Sequence, residues 1–428
     1  MRSAESRRAL AGYVPLASLA ALAAGAAISV VPGLVLQLAI VGGTLMSTAS
    51  LVFARAGRLL NPAWVIVALL YLIGPLGGLF SQSETDGSAL GVLLLALTPF
   101  VAAATIVKPR NATRLFVLIP LGLLLLLAVA SLAWSPSASY GSSKLTLWVV
   151  TGLIPAAFII ILSGGSTRVA WGLIALAAFA TAVASFLFPD SGYPPTLFDS
   201  NPIWASRAAF IGALVALFGP FPVAVKLLAT PVMIAGGLIS LSLGPLVGLA
   251  AGAVAGVAEA LRNGRQTERR VAVGWASLLV VTGVALLSLL AGLADPLFEE
   301  VFNDPNVSGR AGYLRALGPL FVDAPLFGIG LGGFASTGLA DYPHNLVAEV
   351  ALELGFAGLL LLLAWFTLAL RAAAGSPLLV ALVVATGVFS LFSGHLGANT
   401  EFWLFTALAL AVSRIGRNEV PVPSSSPP

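Results

Sequence analysis

Residues 346–370, LVAEVALELGFAGLLLLLAWFTLAL, form a long apolar run rich in helix-forming residues. About 20 apolar residues in a helix cross the hydrocarbon core of a bilayer, so this run is long enough to span a membrane. Glu349 and Glu353 interrupt the run one turn apart and therefore share a helical face. Because a carboxylate inside an apolar helix is costly, each of them is expected to face a cavity or a partner.

The whole chain has this apolar character. Of its 428 residues 59% are hydrophobic and only 9% are charged, and the mean hydropathy is +1.02. The surface of a water-soluble protein needs a higher charge density, so the bilayer is the expected solvent. The net charge of +4 does not indicate nucleic acid, because the basic residues lie in short gaps between apolar runs. With no cysteine and two histidines, the chain has neither a disulfide framework nor the ligands for a thiolate or histidine-rich metal centre.

Further apolar runs predict an all-α polytopic membrane protein with roughly 12–14 transmembrane helices. The approximate segments are 9–31, 34–54, 62–80, 89–107, 115–134, 145–162, 169–188, 205–220, 227–243, 246–261, 271–293, 346–370, 377–393 and 402–415. Prolines within 205–261 leave open whether that stretch holds three short spans or two kinked ones. The first run is interpreted as an uncleaved helix because more spans follow it at once. A single transmembrane domain over 1–419 and a disordered tail at 420–428, rich in proline and serine, complete this prediction.

The distribution of basic residues predicts sidedness, because cytoplasmic loops retain lysine and arginine. If the N-terminus is cytoplasmic and the spans alternate, all but four of the 21 basic residues lie on the cytoplasmic side. The four left outside are Lys144, Arg207, Arg310 and Arg315. Both termini are therefore predicted to be cytoplasmic.

Two predicted outer loops are long, at about 189–204 and 294–345, and long loops within compact domains are usually functional. The second contains Arg310, Arg315, a glycine-rich stretch at 328–333, and His344 at the entrance of the span 346–370. A histidine there can act as a general base, or it can be a polar residue at the interface. The arginines suit phosphate oxygens, although a salt bridge to nearby carboxylates is the alternative, and for Arg315 the favoured one.

Other candidates lie outside that loop. His395 is predicted on the same outer side, where it either lines the same cavity or is an incidental loop residue. Arg207 enters a span from outside and either neutralises an anionic substrate or anchors its helix at the headgroups. Glu349 and Glu353 either orient the histidine or pair with an outer cation, and structural pairing is favoured for Glu349.

The order of these residues resembles the O-antigen ligase and O-antigen polymerase group of bacterial envelope proteins. The similarity lies in Arg310, the stretch 325–334 (PLFGIGLGGF), His344-Asn345 and Glu353-Leu-Gly355, with Gly358 after them. Weaker matches are Trp134-Ser-Pro136, Asp199-Ser-Asn201-Pro202 and Ser242, so the resemblance runs from about residue 130 to 370. Family members often have an arginine directly after the serine near Ser242, whereas Leu243 and Gly244 follow it here. That departure shifts the expected binding of a diphosphate onto Arg207 and Arg310.

The resemblance implies a GT-C-like glycosyltransferase with a large outer loop. Such an enzyme takes a glycan from an undecaprenyl diphosphate carrier in the bacterial inner membrane and passes it to an acceptor hydroxyl on the outer face. It implies His344 and Arg310 as catalytic residues. The further residues expected to bind substrate are Arg207, Arg315, Asn345, Glu353 and His395. No cofactor, metal or nucleic acid is expected, and the partners are the carrier-linked glycan, a lipid or glycan acceptor and the bilayer.

Two alternatives remain at this stage. A polymerase of the same family differs from a ligase only in its acceptor, which is then a second carrier-linked glycan. A lipid or solute transporter, or flippase, is the alternative from another class, but coupled transporters usually bury ionisable residues near the middle of the membrane. Here the predicted span centres are almost free of charge, which favours the enzyme.

Overall fold

Apolar runs separated by short turns form the helices of this protein, and its computed structural model describes residues 71, 116–162, 167–187, 202–239, 242–263 and 318–412. These residues contain helices and connections but no strand. The helices are α1 (Ile119–Ser131), α2 (Ala138–Trp148), α3 (Ile154–Leu162), α4 (Arg168–Leu187), α5 (Pro202–Phe218), α6 (Val223–Ile239), α7 (Leu243–Asn263), α8 (Leu346–Ala373), α9 (Pro377–Phe392) and α10 (Thr400–Val412). A π-helical turn, Val149–Leu153, joins α2 to α3. The predicted all-α class is confirmed for this part of the chain.

Several of these helices have the length and composition of membrane spans. Within the described residues, Ala138–Ile160, Ala170–Leu187, Leu243–Asn263 and Leu346–Ala373 are long and apolar enough to cross a bilayer. Shorter apolar helices lie among them, including α5, α6, α9 and α10. The chain is therefore a multi-pass helical membrane protein. The predicted spans at 9–31, 34–54, 89–107 and 271–293, most of 62–80, most of the loop 189–204, and the tail at 420–428 lie outside the described residues.

The stretch with several prolines, 205–261, contains three separate helices, α5, α6 and α7. Pro220 and Pro222 lie in the connection between α5 and α6, where the missing amide hydrogens interrupt no helix. Pro231 lies inside α6, and Pro245 lies in the first turn of α7, where proline is tolerated. Three helices, and not two kinked ones, are therefore present here.

Small residues bring α7 close to α9. A Cβ atom at Gly248 would lie 2.2 Å from the ring of Phe389, and one at Gly252 would lie 2.6 Å from the carbonyl oxygen of Ala381. The stripe of small residues at four-residue spacing consists of Gly244, Gly248, Gly252 and Gly256. Such stripes permit close packing of helices in membranes, where no hydrophobic effect drives association.

Connections that the sequence places on one side of the membrane meet at one end of the helix bundle. The turn between α1 and α2 contacts the loop before α8, and the connection between α9 and α10 contacts the first turns of α8. At the end of α7, Glu259 accepts a hydrogen bond from the backbone of Gly375, which follows α8. The two groups of contacts therefore lie at opposite ends of α8.

Candidate active site

His344 lies immediately before α8 in a backbone conformation that is uncommon for any residue with a side chain. Its φ is +56°, and it is the one residue other than glycine with positive φ in the described part of the chain. Asn345 caps the helix, and its Oδ1 accepts a hydrogen bond of 2.9 Å from the backbone N–H of Ala348. Left-handed conformations of this kind cost free energy and are concentrated at functional sites. The helix cap and this conformation together set the direction of the imidazole.

Three rings form a cluster at this entrance of α8. The ring of Tyr342 lies 4.3 Å from that of His344 and 4.9 Å from that of His395, centroid to centroid. All three residues are half-buried, and Nδ1 of His344 is enclosed. The structure therefore brings together both histidines of the chain, although 51 residues separate them in sequence.

His395 is neutral at neutral pH. Burial, together with the nearby positive charges of Lys144 and His344, lowers its pKa to about 4, while Asp341 acts in the opposite direction. Its Nδ1 accepts a hydrogen bond of 3.1 Å from the backbone N–H of Gly397. In the neutral ring the proton is therefore on Nε2, which leaves His395 with one N–H that can donate a hydrogen bond.

Beneath the cluster, Lys144 from α2 lies between the two carboxylates of α8. Its Nζ is 2.6 Å from Glu349 Oε1 and 2.8 Å from Glu353 Oε2, and all three side chains are at most 1% exposed. Each carboxylate also binds a backbone N–H of a different segment. Glu353 Oε2 accepts from Gly332 at 2.9 Å, and Glu349 Oε2 accepts from Leu396 at 2.9 Å. One ion cluster thus joins α2, α8, the glycine-rich loop and the segment that contains His395.

The helix α8 is broken at Gly355, where φ is +68° and ψ is −165°. Backbone groups released by this break pair with the loop before α8. Ile329 N donates to Leu352 O and Gly330 N to Glu353 O, each at 3.0 Å. The N–H groups of Phe356 and Ala357 donate to the carbonyls of Pro325 and Leu326. Irregular backbone is tolerated within a membrane protein where its polar groups are satisfied in this way.

The turn after α1 holds the other side of the glycine-rich loop. Trp134 Nε1 donates to Gly328 O at 3.1 Å, and Ser135 Oγ donates to Leu331 O at 2.7 Å. At Gly332, which has φ of +80°, an added Cβ would lie 2.6 Å from the backbone nitrogen of Gly141 in α2. The loop and α2 therefore touch backbone to backbone, three residues before Lys144.

Arg207 in α5 is buried and binds the end of α9. Its Nη2 donates to the carbonyl oxygens of Phe389 at 2.7 Å and Ser393 at 3.0 Å, and its Nη1 donates to Asn399 Oδ1 at 3.2 Å. Glu401 lies 3.7 Å from Nη1 as its counterion. An arginine satisfies the open carbonyls at a helix end with geometry that a lysine cannot match.

The predicted site residues are distributed as follows. Arg207 and His344 are joined by a chain of contacts, because Asn399 Nδ2 donates to the carbonyl oxygen of His395, whose ring contacts Tyr342. The side chain of Asn345 is a helix cap, and that of Glu353 is in the ion cluster. Arg310 and Arg315 lie outside the described residues.

Sequence reasoning did not assign Lys144 to the site. Lys144 was one of the four basic residues predicted on the outer side. Because basic residues usually lie on the cytoplasmic side, this exception could have marked it as a functional residue. The predicted span began at residue 145, whereas the helix begins at Ala138, so Lys144 lies inside it. A cation within an apolar helix needs a partner, which the two carboxylates supply.

The comparison with protein families decides the affiliation of this part of the chain. Residues 228–363 match the family model described as O-antigen ligase. This region belongs to the O-antigen ligase family. The resemblance inferred from the sequence is confirmed there, and the O-antigen ligase region includes Arg310, His344 and both carboxylates of the ion cluster.

Residues outside the O-antigen ligase region complete the cluster. Lys144, Arg207 and His395 lie before or after the matched stretch. Lys144 and His395 contact it directly, and Arg207 is linked to it through Asn399 and His395. A comparison with curated proteins gave no match. The site thus combines a family region with helices on both sides of it, and it presents a half-buried imidazole next to a neutral hydrogen-bond donor.

Proposed function

We propose that this protein is a membrane glycosyltransferase of the O-antigen ligase type, with a GT-C-like fold. It transfers a glycan from an undecaprenyl diphosphate carrier to an acceptor hydroxyl on the outer side of the bacterial inner membrane. The acceptor is a lipid or a glycan. Membership of the matched region in the O-antigen ligase family supports this class of reaction.

The chemistry requires a base and a positive charge, and no covalent nucleophile. The acceptor oxygen attacks the anomeric carbon while the bond from that carbon to the diphosphate oxygen breaks, and the bonding electron pair leaves with the diphosphate. His344 accepts the proton of the acceptor hydroxyl, and the configuration at the anomeric carbon is inverted. Because diphosphate is already a good leaving group, stabilising its developing charge contributes most of the remaining catalysis.

The single observation that supports this role is the placement of His344. A left-handed backbone and a capped helix hold its imidazole beside Tyr342 and His395 at one end of the bundle. A general base must be held near the proton that it removes, and rigid support of this kind provides that. Neutral His395, with its proton on Nε2, is suited to donate a hydrogen bond to a sugar or acceptor oxygen.

The two arginines have different parts in this proposal. Arg310, which the sequence predicts in the second outer loop, contacts the diphosphate through its guanidinium fork. Arg207 donates to the carbonyls of Phe389 and Ser393 and is 1% exposed. It therefore supports the site by fixing the connection between α9 and α10, and its charge is balanced by Glu401.

A transfer assay with purified protein tests the proposal. Protein reconstituted in lipid should transfer glycan from undecaprenyl diphosphate in the presence of EDTA. The assay is run with two acceptors. Transfer to a lipid A core indicates ligase activity, and transfer to a second carrier-linked glycan indicates polymerase activity. His344→Asn and His344→Gly both tolerate a positive φ, so each should fold while kcat falls by about 10²–10⁴-fold.

Arg310→Ala should also lower transfer strongly, whereas Arg371→Ala is its matched control. Arg371 is exposed in the last turn of α8, at the opposite end of that helix from His344. Full activity of folded His344→Gly would remove the histidine from the mechanism. Movement of the intact carrier-linked glycan across the bilayer, without transfer, would place the protein among the transporters instead.

A further inference from the structure

We propose that Lys144 is a positioning residue, which holds the glycine-rich loop and the segment 393–399 on α8 so that the two histidines meet. The kinetic part of this proposal rests on the glycosyltransferase function above, whereas the structural part does not. Lys144 is 2% exposed, and its ammonium pairs with both carboxylates of α8. It therefore acts through the groups that it holds.

The charges explain why Lys144 is needed. Glu349 and Glu353 are one turn apart on α8 and are 1% and 0% exposed, so their negative charges repel each other in a poorly solvated place. The ammonium of Lys144 lies within 2.8 Å of both carboxylates and offsets this repulsion. Each carboxylate can then also accept a hydrogen bond from a backbone N–H.

The two N–H groups belong to the two segments that form the histidine cluster. Glu349 binds the N–H of Leu396, the residue after His395, at 2.9 Å. Glu353 binds the N–H of Gly332, in the loop that leads to His344, at 2.9 Å. Hydrogen bonds to a charged acceptor are stronger than neutral ones, so each contact adds a strong bond to the neutral ones that hold its segment.

A purely stabilising role does not account for this arrangement. Replacing a buried ion cluster by apolar groups of similar volume is often neutral or stabilising, so packing alone does not require these charges. Apolar groups, however, cannot accept hydrogen bonds from the backbone of two different loops, as the two carboxylates do. The expected signature of Lys144 is therefore a change in the position of those loops.

Cysteine labelling measures that position without any transfer assay, because the chain contains no cysteine. Leu331 and Leu396 are each 1% exposed, one in each segment. Leu331→Cys and Leu396→Cys should react slowly with a water-soluble maleimide. Adding Lys144→Met should accelerate labelling about tenfold at residue 396, as expected for local opening after loss of a charged contact. At residue 331 we expect labelling to accelerate only about threefold, because Ser131 Oγ still accepts a hydrogen bond from the backbone N–H of that residue.

Two controls accompany this measurement. Leu408→Cys, which is fully buried in α10, should stay protected when Lys144→Met is added, since the bundle itself remains folded. Lys144→Arg keeps the cation and should restore most of the protection at both positions. The same protection in Lys144→Met as in the parent would overturn the proposal.

Single carboxylate variants keep the test decisive if Lys144→Met loosens the whole bundle. Glu349→Met leaves one pair of opposite charges, Lys144 with Glu353, and should expose residue 396 while residue 331 stays protected. Glu353→Met should expose residue 331 while residue 396 stays protected. Equal labelling of both positions in both variants would refute the assignment of one segment to each carboxylate.

Kinetics separate this proposal from the function on which it rests. In Lys144→Met, kcat should fall at least about tenfold with KM for the donor within about twofold, because the base is misplaced while the binding contacts remain. Lys144→Arg should recover most of kcat. If the parent protein shows no transfer at all, the proposed function fails, and the labelling pattern still decides the role of Lys144.

Discussion

Replacing Gly332 by alanine tests the contact between the glycine-rich loop and α2. Gly332 has φ of +80°, and its Cβ would lie 2.6 Å from Gly141 N and 2.7 Å from Gly141 Cα. Neither atom can move unless α2 moves with it. Gly338, in the same loop, has φ of +69°, but its Cβ would meet nothing within 4 Å. Gly338→Ala is therefore a matched control with the same backbone cost and without the collision.

The magnitude follows from that difference. Both substitutions place a Cβ in the left-handed region, which costs about 1–2 kcal/mol. Only Gly332→Ala adds overpacking against backbone, worth about 1–3 kcal/mol more, and it also displaces the N–H that binds Glu353. We expect an unfolding temperature roughly 2–6 °C below the parent for Gly332→Ala and about half that decrease or less for Gly338→Ala.

Thermal unfolding in detergent and a transfer assay below the unfolding temperature measure the two effects. Transfer by Gly332→Ala should be at least about tenfold slower, since the loop before His344 is displaced. Gly338→Ala should stay within about twofold of the parent. Equal losses of stability and activity in the two variants would refute the reasoning, because they would show that the collision with Gly141 contributes nothing.

Two further predictions concern the same end of the bundle. Because burial lowers the pKa of His395 to about 4 while the unfolded residue titrates near 6.5, folding stability should be complete above about pH 6.5 and fall by up to about 3 kcal/mol toward pH 4. His395→Gln should flatten that dependence in unfolding measured at pH 4.5 and 7.5, and an unchanged slope would contradict the assignment. Arg207→Ala should lower the free energy of unfolding by about 3–5 kcal/mol, because it leaves Glu401 buried without its counterion. The double variant Arg207→Met/Glu401→Gln should recover most of that loss, and a double variant no more stable than Arg207→Ala would show that the ion pair is not the cause.

The helices were largely predictable from the sequence. The segments 169–188, 346–370 and 377–393 agree with α4, α8 and α9 to within a few residues. Spans are predictable because the bilayer requires about 20 apolar residues in one run, which is a local property of the chain. The start of α2 was missed by seven residues, since polar residues such as Lys144 are not excluded from a helix that packs against other helices.

The candidate site was predictable in part. The place of His344 at the entrance of α8 follows from the adjacent Asn345, a residue that favours the N-cap position. The same reasoning predicts that Glu353 and Arg207 bind substrate, and this stays a prediction. It did not predict that Lys144 pairs with Glu353 or that Arg207 binds the end of α9. Such pairings depend on which helices are neighbours, and no local pattern in the sequence specifies that.

Hydropathy, charge and residue type predict a bundle of membrane helices, the residues suited to proton transfer, and the side of the bundle on which those residues are expected. All three properties act locally along the chain. The position of Lys144 between Glu349 and Glu353, and the ring cluster that both histidines share, are seen only in the folded protein. The physical reason is that buried charges and rings take partners from whichever helices pack beside them, and here those partners are between 51 and 209 residues apart in the chain.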